Sequence, residues 1–260
     1  SSVQAIDSFI FTGAQLRFSN GIAYQLPTGL GGIYGSIIFV PSEIASNAVA
    51  AANVPADGDG RGLGARIGYG SGPFDISVGY TKVKATNISA AQAAGSPAST
   101  FGVAPIGRSA DRTNTLIGAS YDFGIVKLQG IYSRLESDSF RFTSGDLTNN
   151  TYQIGVTVPF TAQHIFKASA ARSKSSGQNT EETTKFGIGY EYRLSKRTAL
   201  YAQYARTSNS NGGVVGVGPL PTNQGGTLNN QGATGFLPAG SRTAPDGDAS
   251  GADFGIRHTF

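Results

Sequence analysis

The feature that most constrains the fold is a strict two-residue alternation, which recurs along the chain and gives each segment two chemically different faces. In the stretch KFGIGYEYRLS, one face is continuously apolar and consists of Phe186, Ile188, Tyr190, Tyr192 and Leu194. The other face is small, polar or charged and consists of Lys185, Gly187, Gly189, Glu191 and Arg193. The stretches YQIGVTVPF and FDISVGY repeat the pattern. Because successive side chains of a β-strand point to opposite faces, this period predicts strands.

Alternating segments bounded by Gly, Pro, Asn, Asp and Ser clusters predict about eleven strands. They are Leu16–Leu26, Gly31–Val40, Gly62–Gly70, Phe74–Lys84, Arg112–Asp122, Ile125–Glu136, Asn149–Pro159, His164–Ser173, Thr183–Leu194, Arg197–Thr207 and Ala252–Phe260. Short turns between them alternate with longer segments, which are Pro41–Gly60, Ala85–Asp111, Ser137–Thr148, Lys174–Glu182 and Ser208–Gly251. Long loops at one end only are typical of barrels that cross an outer membrane.

The composition of the two faces indicates which of them meets solvent. Only 14% of the residues are charged, whereas a solvated surface typically carries about 25–35% charged residues. An apolar face in contact with lipid and a polar face around water would explain the composition of both faces. The sequence has no apolar run of about eighteen residues, which excludes a transmembrane helix. Since every backbone polar group in hydrocarbon must be paired, the strands are expected to close into a barrel.

The predicted fold is therefore all-β: a transmembrane antiparallel β-barrel that forms a single domain over residues 1–260. Bacterial single-chain barrels have an even number of strands, so a count of eleven needs an explanation. Either Ser1–Gly13 supplies a twelfth strand, or the sequence lacks an upstream part of the protein.

Charge and motifs exclude several functions. The 20 Lys and Arg residues against 16 Asp and Glu residues give a net charge of +4, but the basic residues are spread singly along the strands, which argues against nucleic-acid binding. Cysteine is absent, as are the metalloprotease, hydrolase and phosphate-loop motifs. The two histidines, His164 and His258, have no obvious nucleophile beside them. We therefore expect no enzyme activity and no cofactor.

Two loop segments place carboxylates two residues apart: Asp57 with Asp59, and Asp246 with Asp248. Calcium or magnesium could bind there and bridge loops or lipopolysaccharide phosphates. The spacing of an EF-hand is absent, however, and Asp-Gly is ordinary turn chemistry. Turns are the favoured interpretation, and no metal site is predicted.

The alternation also assigns charged residues to the interior of the barrel. The basic ones are Arg17, Arg66, Lys127, Lys167, Lys185, Arg193 and Arg257. The acidic ones are Asp75, Asp122, Glu191 and Asp253. Low-dielectric walls around confined water focus the field of such charges, so the basic excess predicts a weak preference for anions. The alternative for each residue is a wet position at a strand end with little electrostatic effect.

Three segments carry a family resemblance. The ending FGIRHTF, the hairpin GYEYRLSKRTALYAQYART and the segment FSNGIAYQLPTGLGGIYGS together resemble the trimeric general-diffusion porins of Gram-negative outer membranes, of the β-proteobacterial type. The resemblance covers nearly the whole chain from Phe11 onward. The LSKRT turn with its flanking strands is its strongest part, whereas the long loops match nothing.

The resemblance implies a homotrimeric outer-membrane channel through which small hydrophilic solutes and anions diffuse passively. A complete subunit of this family has sixteen strands, and its long third loop folds inward to narrow the pore. The present chain would hold the last eleven strands, with Ser1–Gly13 as the end of that loop and Asp7 as a candidate acidic partner across the constriction. Where family members often carry a basic residue, this chain has Ala23, so the basic constriction is expected to be thinner or to be supplied by Arg17.

The last strand has a further meaning in this family. A final strand that ends on Phe260, with Phe254 and Ile256 at alternate positions before it, is the signal read by the barrel-assembly machinery. The resemblance also implies that outer-membrane lipid and lipopolysaccharide surround the barrel.

Two other functions remain open. A soluble β-sandwich would use the long loops as a recognition surface for binding or adhesion. A substrate-specific outer-membrane channel would need an inward ladder of aromatic or charged residues, and Tyr201, Gln203 and Ala205 are too few to support one.

Overall fold

A computed structural model describes residues 21–41, 61–84, 111–137, 147–177, 180–212 and 246–259. Eleven strands lie in these ranges: β1 (Ile22–Gln25), β2 (Ile33–Val40), β3 (Gly62–Ser71), β4 (Phe74–Lys84), β5 (Asp111–Asp122), β6 (Lys127–Ser137), β7 (Leu147–Pro159), β8 (His164–Gly177), β9 (Glu182–Arg193), β10 (Thr198–Ser210) and β11 (Ala249–His258). None of the described residues forms a helix long and apolar enough to cross a membrane.

The strands form one antiparallel sheet in chain order, and each strand pairs with the next along the chain. β1 and β11 are the two edges of the described sheet. This meander places the connections β1–β2, β3–β4, β5–β6, β7–β8 and β9–β10 at one end, called here the short-turn end. The other connections lie at the opposite, long-loop end. The prediction of an all-β antiparallel fold is confirmed.

Local chemistry shapes the short turns. Gly72 and Pro73 alone join β3 to β4, and Gly72 has a φ of 55°. Between β5 and β6, the Asp122 carboxylate accepts a hydrogen bond from the backbone N–H of Gly124 at 2.8 Å. Gly124 has a φ of 83°, a left-handed conformation that glycine adopts without a Cβ clash. These turns fix the register of the hairpins that they close.

Several strands run further toward the long-loop end than the alternation predicts. β8 and β9 leave only residues 178–181 between them, so the predicted long connection Lys174–Glu182 is wrong. The strands continue because polar side chains support the ladder there: Asn149 Nδ2 donates a hydrogen bond to Ser175 Oγ at 3.1 Å across β7 and β8. Serine and asparagine are turn residues by preference, and their cross-strand pairing overrides that preference.

Other predicted boundaries also shift. Gly31 and Gly32 form a turn with φ values of 62° and 97°, so the predicted start of a strand at Gly31 is wrong. β11 begins earlier than the predicted range Ala252–Phe260, and Phe260 itself lies outside the described residues. The predicted strand Leu16–Leu26 is described only from residue 21 onward.

The two faces of the sheet differ in exposure, although both belong to a single layer. Large apolar side chains are exposed on one face, for example Phe254 at 84% and Ile154 at 68%. On the other face, Lys185 and Glu191 are each only 3% exposed. A single sheet can bury one face by curving around it, and Arg257 on β11 reaches Glu191 on β9 across the intervening strand. The polar face is therefore a concave inner wall, and the apolar face is a convex outer wall.

The outer wall is an apolar band with aromatic residues toward both ends. Those toward the short-turn end include Tyr69, Phe74, Tyr121, Phe123, Phe160 and Tyr190. Those nearer the long-loop end include Tyr80, Tyr152, Phe186 and Tyr204. Beyond the band, at the long-loop end, outward-facing charges form the ion pairs Arg134–Glu136, Arg172–Glu182 and Arg206–Asp248. This distribution is typical of strands that cross a membrane.

Candidate functional site: the inner wall

The charged residues predicted to face the interior share the inner wall wherever the structure describes them. The basic ones are Arg66, Lys127, Lys167, Lys185, Arg193 and Arg257. The acidic ones are Asp75, Asp122, Glu191 and Asp253. Arg17, Asp7 and the predicted inward loop Ser1–Gly13 lie outside the described residues.

One carboxylate gathers three of these basic residues near the short-turn end. Glu191 Oε1 accepts hydrogen bonds from Arg193 Nε at 3.0 Å and from Arg257 Nη2 at 3.1 Å. Glu191 Oε2 lies 3.4 Å from Lys167 Nζ. The Glu191 side chain is 4% exposed, whereas those of Lys167, Arg193 and Arg257 are 24%, 50% and 41% exposed. These four residues, the Glu191 cluster, place three cations above a buried carboxylate on the inner wall.

A second arrangement is centred on Tyr34, which the sequence analysis missed. Its hydroxyl donates a hydrogen bond to Asp75 Oδ1 at 2.8 Å, and Arg66 Cζ lies 5.5 Å from the centroid of its ring. The ring lies over Gly68 on β3, where no Cβ obstructs it. The signal in the sequence is the series of glycines on the inner face of β3, which leaves room for a large side chain from the preceding strand, β2.

Neutral polar side chains line the inner wall nearer the long-loop end. Asn149 Nδ2 donates a hydrogen bond to Ser173 Oγ at 2.9 Å, and Thr151 Oγ1 lies 3.0 Å from the same hydroxyl. On β9 and β10, Thr183 Oγ1 donates to Asn209 Oδ1 at 2.8 Å. These groups make a hydrophilic surface that carries no net charge.

Ala23 also faces inward, where it pairs with Ile38 of β2. Neither side chain is charged. The described part of the wall therefore carries no basic residue on β1 or β2, and its first one along the chain is Arg66 on β3.

Both histidines lie on the outer wall near the short-turn end. His164 Nδ1 lies 2.5 Å from the hydroxyl oxygen of Tyr190, and its ring centroid is 4.8 Å from that of Tyr192. His258 Nδ1 lies 2.9 Å from Thr198 Oγ1. Contacts with phenol and threonine hydroxyls are those of interfacial side chains.

The carboxylates of the predicted Asp246 and Asp248 pair have local partners. Asp246 accepts a hydrogen bond from the backbone N–H of Gly212 at 2.7 Å, and Asp248 accepts from Ser208 Oγ at 2.6 Å and from Arg206 Nη2 at 3.0 Å. The hydrogen bonds from Ser208 and Arg206 hold the pKa of the Asp248 carboxyl below its usual value. Within the described ranges, no group of three His, Cys, Asp or Glu side chains could hold a metal ion. The other predicted pair, Asp57 and Asp59, lies outside them.

The fold and the inner wall together define a class of protein. An antiparallel sheet with an apolar outer wall, aromatic residues along its band and a polar, charged inner wall is the wall of a transmembrane β-barrel. Residues 3–212 match the Gram-negative porin family, and the chain belongs to that family. The predicted resemblance is thereby confirmed, and the family places the protein in the outer membrane of a Gram-negative bacterium.

Two curated relatives illustrate the similarity. The chain is 28% identical over 208 residues to outer membrane porin protein 32 of Delftia acidovorans, which covers 79% of this chain and 48% of that protein. It is 24% identical over 233 residues to an outer membrane porin protein of Bordetella pertussis, which covers 78% of this chain and 57% of that protein. The chain thus spans about half the length of these relatives.

Solved structures show the same fold. The anion-selective porin from Comamonas acidovorans matches with a TM-score of 0.70 at 24% identity, over 97% of this chain and 64% of that chain. OmpT of Vibrio cholerae matches with a TM-score of 0.60 at 13% identity, over 100% of this chain and 74% of that chain. At these identities the likeness concerns the fold alone.

Proposed function

We propose that the protein is a channel through which small hydrophilic solutes and ions diffuse passively across the outer membrane, with a weak preference for anions and without enzyme activity or a cofactor. The observation that carries the proposal is the burial pattern, in which polar side chains line the concave wall and large apolar side chains are exposed on the convex wall. A wall of this kind separates water on its inner side from lipid on its outer side.

The charge of the inner wall supports the anion preference. Among the strand residues whose side chains the structure describes, this wall carries six basic and four acidic side chains. Low-dielectric walls focus the field of such charges and raise the local concentration of anions. An excess of only two charges predicts a weak preference. The anion-selective porin from Comamonas acidovorans, which has the same fold, agrees with this sign.

The two alternative functions fit the structure poorly. A β-sandwich needs two packed layers with apolar faces between them, whereas the described strands form one layer with its apolar face exposed. A substrate-specific channel needs an inward ladder of several aromatic or charged residues in series. On the described inner wall, the aromatic residues are Tyr34 on β2 and Tyr201 on β10, which lie far apart in the sheet, and the charged residues are of both signs.

The assembly that we propose is a homotrimer of sixteen-stranded subunits. Part of the outer wall would pack against neighbouring subunits, and the rest would contact outer-membrane lipid and lipopolysaccharide. The continuous apolar band supports such contacts. A trimer form of OmpT of Vibrio cholerae, which matches with a TM-score of 0.56, shows that this fold is compatible with a trimer.

Two roles are proposed for the ends of the sequence. Ser1–Gly13 would enter the channel as part of the inward loop and place Asp7 across from the basic wall. Phe260 would complete a signal for the barrel-assembly machinery with Phe254 and Ile256. In support of the second role, Phe254 and Ile256 are 84% and 69% exposed on the outer wall, where another protein could contact them.

Planar-bilayer recordings of the full-length protein under a KCl gradient test the proposed function. We expect stepwise channels and a reversal potential of anion sign, which Arg66→Glu and Arg17→Glu should both shift toward cations. The matched control is Arg206→Glu, because Arg206 faces outward in an ion pair with Asp248 and should leave the potential unchanged. Folded, inserted protein that conducts no ions would refute the channel, and a cation sign would refute the assigned charge of its wall.

A further inference from the structure

The Glu191 cluster concentrates the positive charge of the inner wall at one place. It contains three basic groups and one carboxylate, which give it a net charge of +2 when all four are ionised. Outside the cluster, the inner-wall strand residues whose side chains the structure describes include three basic and three acidic ones, which cancel. The charge excess of these described side chains is therefore located near the short-turn end, on β8, β9 and β11.

The geometry of the cluster favours anions that carry several oxygen atoms. A guanidinium group has five N–H donors in a planar fork that matches carboxylate and phosphate oxygens, whereas chloride gains nothing from the fork. Arg193 directs Nε toward Glu191, and Arg257 directs Nη2 toward it. Both side chains remain about half exposed, so a solute in the channel can approach them from the side opposite the carboxylate.

Tyr201 adds a hydroxyl group next to the cluster. It is the cross-strand partner of Glu191 on β10, and its side chain extends over Gly255 on β11. A Cβ built on Gly255 would lie only 2.7 Å from the Tyr201 hydroxyl oxygen, so the absence of a side chain at Gly255 makes this position possible. The Tyr201 hydroxyl therefore lies against Gly255 of β11, two residues before Arg257 in the same strand.

We infer that the Glu191 cluster is a binding site for small oxyanions, which takes phosphate- or carboxylate-bearing solutes as they pass the short-turn end of the channel. This inference rests on the proposed channel function and names the solute class that the channel retains. Lys167 supplies a point charge, and Arg193 and Arg257 supply the hydrogen-bond forks.

Glu191 is a positioning residue in this site. Its carboxylate holds three mutually repelling cations within 3.4 Å of its two oxygen atoms. It also competes with a bound oxyanion for the same donors, so the anion is held weakly and can leave. Conduction requires this balance, because a solute that binds too tightly blocks the path of the next one.

Single-channel recordings of the full-length protein in KCl, with inorganic phosphate added as the probe, test the site. We expect phosphate to reduce the chloride current in a saturable way that a matched addition of chloride does not reproduce. The double substitution Arg193→Gln and Arg257→Gln should raise the half-blocking phosphate concentration about tenfold or more, which corresponds to about 1.4 kcal/mol. The matched control, Arg66→Gln with Lys127→Gln, removes two charges elsewhere on the same wall and should leave that concentration within about twofold.

A charge-preserving pair of substitutions distinguishes the contribution of the guanidinium hydrogen bonds from that of the positive charge. Because it keeps both charges beside Glu191, it also provides a second variant in case the glutamine variant does not fold. Arg193→Lys with Arg257→Lys should keep the reversal potential in KCl and still weaken the phosphate block. If the channels are anion-selective but phosphate reduces the current no more than chloride does, the proposed binding site is wrong and the proposed channel function stands. An equal effect of Arg66→Gln with Lys127→Gln and of the cluster substitution to glutamine would overturn it as well. Folded wild-type protein without channels would overturn the proposed function itself.

Discussion

The ring of Tyr34 lies against Gly68, its cross-strand partner on β3, and a Cβ built on Gly68 would lie 2.6 Å from the Tyr34 hydroxyl oxygen. Gly68→Ala should therefore displace the ring, break its hydrogen bond to Asp75 and remove the surface on which Arg66 rests. We expect a loss of about 1–3 kcal/mol in the free energy of unfolding, the usual cost of overpacking. Urea unfolding in phospholipid vesicles, followed by tyrosine fluorescence, measures this loss.

Gly79→Ala is the matched control for that substitution. Gly79 also faces inward, but the nearest atom to a Cβ built there is the Ala65 carbonyl oxygen, at 4.0 Å. The control should change the free energy of unfolding by no more than about 0.5 kcal/mol. Equal losses for both substitutions would show that the contact between Tyr34 and Gly68 does not carry the effect.

Removal of the negative charge of Glu191 should strengthen the anion preference of the channel and lower the stability of the folded protein. Glu191→Gln keeps the shape of the side chain but leaves Lys167, Arg193 and Arg257 to repel one another around a buried amide. We expect a stronger anion preference in the reversal potential, because the inner wall gains one net positive charge. We also expect a loss of about 1–2 kcal/mol in the free energy of unfolding, less than for a fully buried ion pair because the cations reach water.

Glu136→Gln provides the comparison for this experiment. Glu136 pairs with Arg134 at 2.7 Å on the outer wall, and both side chains are nearly half exposed. Such an exposed pair contributes little to stability, so the free energy of unfolding should change by less than about 1 kcal/mol. The reversal potential should not move. A shift in selectivity as large as that of Glu191→Gln would contradict the assignment of Glu136 to the outer wall.

The wall on which each residue lies could be predicted from the sequence, because alternation is a property of every extended strand. Lys185 and Phe186 are neighbours in the chain, and the period alone assigns one to the inner wall and the other to the outer wall. The structure places them so: Lys185 is buried, and Phe186 is exposed. The same rule assigns Glu191 and Tyr190 to opposite walls.

The contacts within the inner wall could not be predicted, because they depend on the register between strands. Glu191 meets Arg257 only because β10 pairs with both β9 and β11 in a register that places Arg257 level with Arg193, two residues along β9 from Glu191. Tyr34 fits over Gly68 for the same reason. The length of β8 could not be predicted either, because serine at position 175 favours a loop, and its contact with Asn149 depends on the strand pairing.

Asp248 should make stability depend on pH in the acid range. It lies just before β11, and the hydrogen bond from Ser208, with a further contribution from Arg206, holds the pKa of its carboxyl below the usual value. A carboxyl of this kind stabilises the folded state fully above its unfolded pKa, about 3.9, and the contribution is lost as the pH falls through the lower folded pKa. The difference in thermal midpoint between the wild type and Asp248→Asn should therefore be constant from about pH 7 to 5 and shrink below about pH 4.

Ser208→Ala checks the cause of that dependence. It removes the hydrogen bond that contributes most to the lowered pKa of Asp248 and leaves the ion pair with Arg206 in place. We expect a smaller pH-dependent difference in this background. A difference between wild type and Asp248→Asn that grows as the pH falls would have the wrong sign for a lowered pKa.

The last prediction concerns which wall faces lipid. Ile154 is 68% exposed on the outer wall, and its cross-strand partner on β8 is Ala170. Ser169, the residue just before Ala170, lies on the inner wall. Ile154→Lys would place an ammonium group in hydrocarbon and should cost about 2–4 kcal/mol if it lies near the middle of the bilayer. Ser169→Lys would place the same group on the inner wall between Gly155 and Gly187, where there is room for it and where the proposed channel holds water, and should cost less than about 1 kcal/mol. Urea unfolding in phospholipid vesicles separates the two, and a larger loss for Ser169→Lys than for Ile154→Lys would reverse the assignment of the walls.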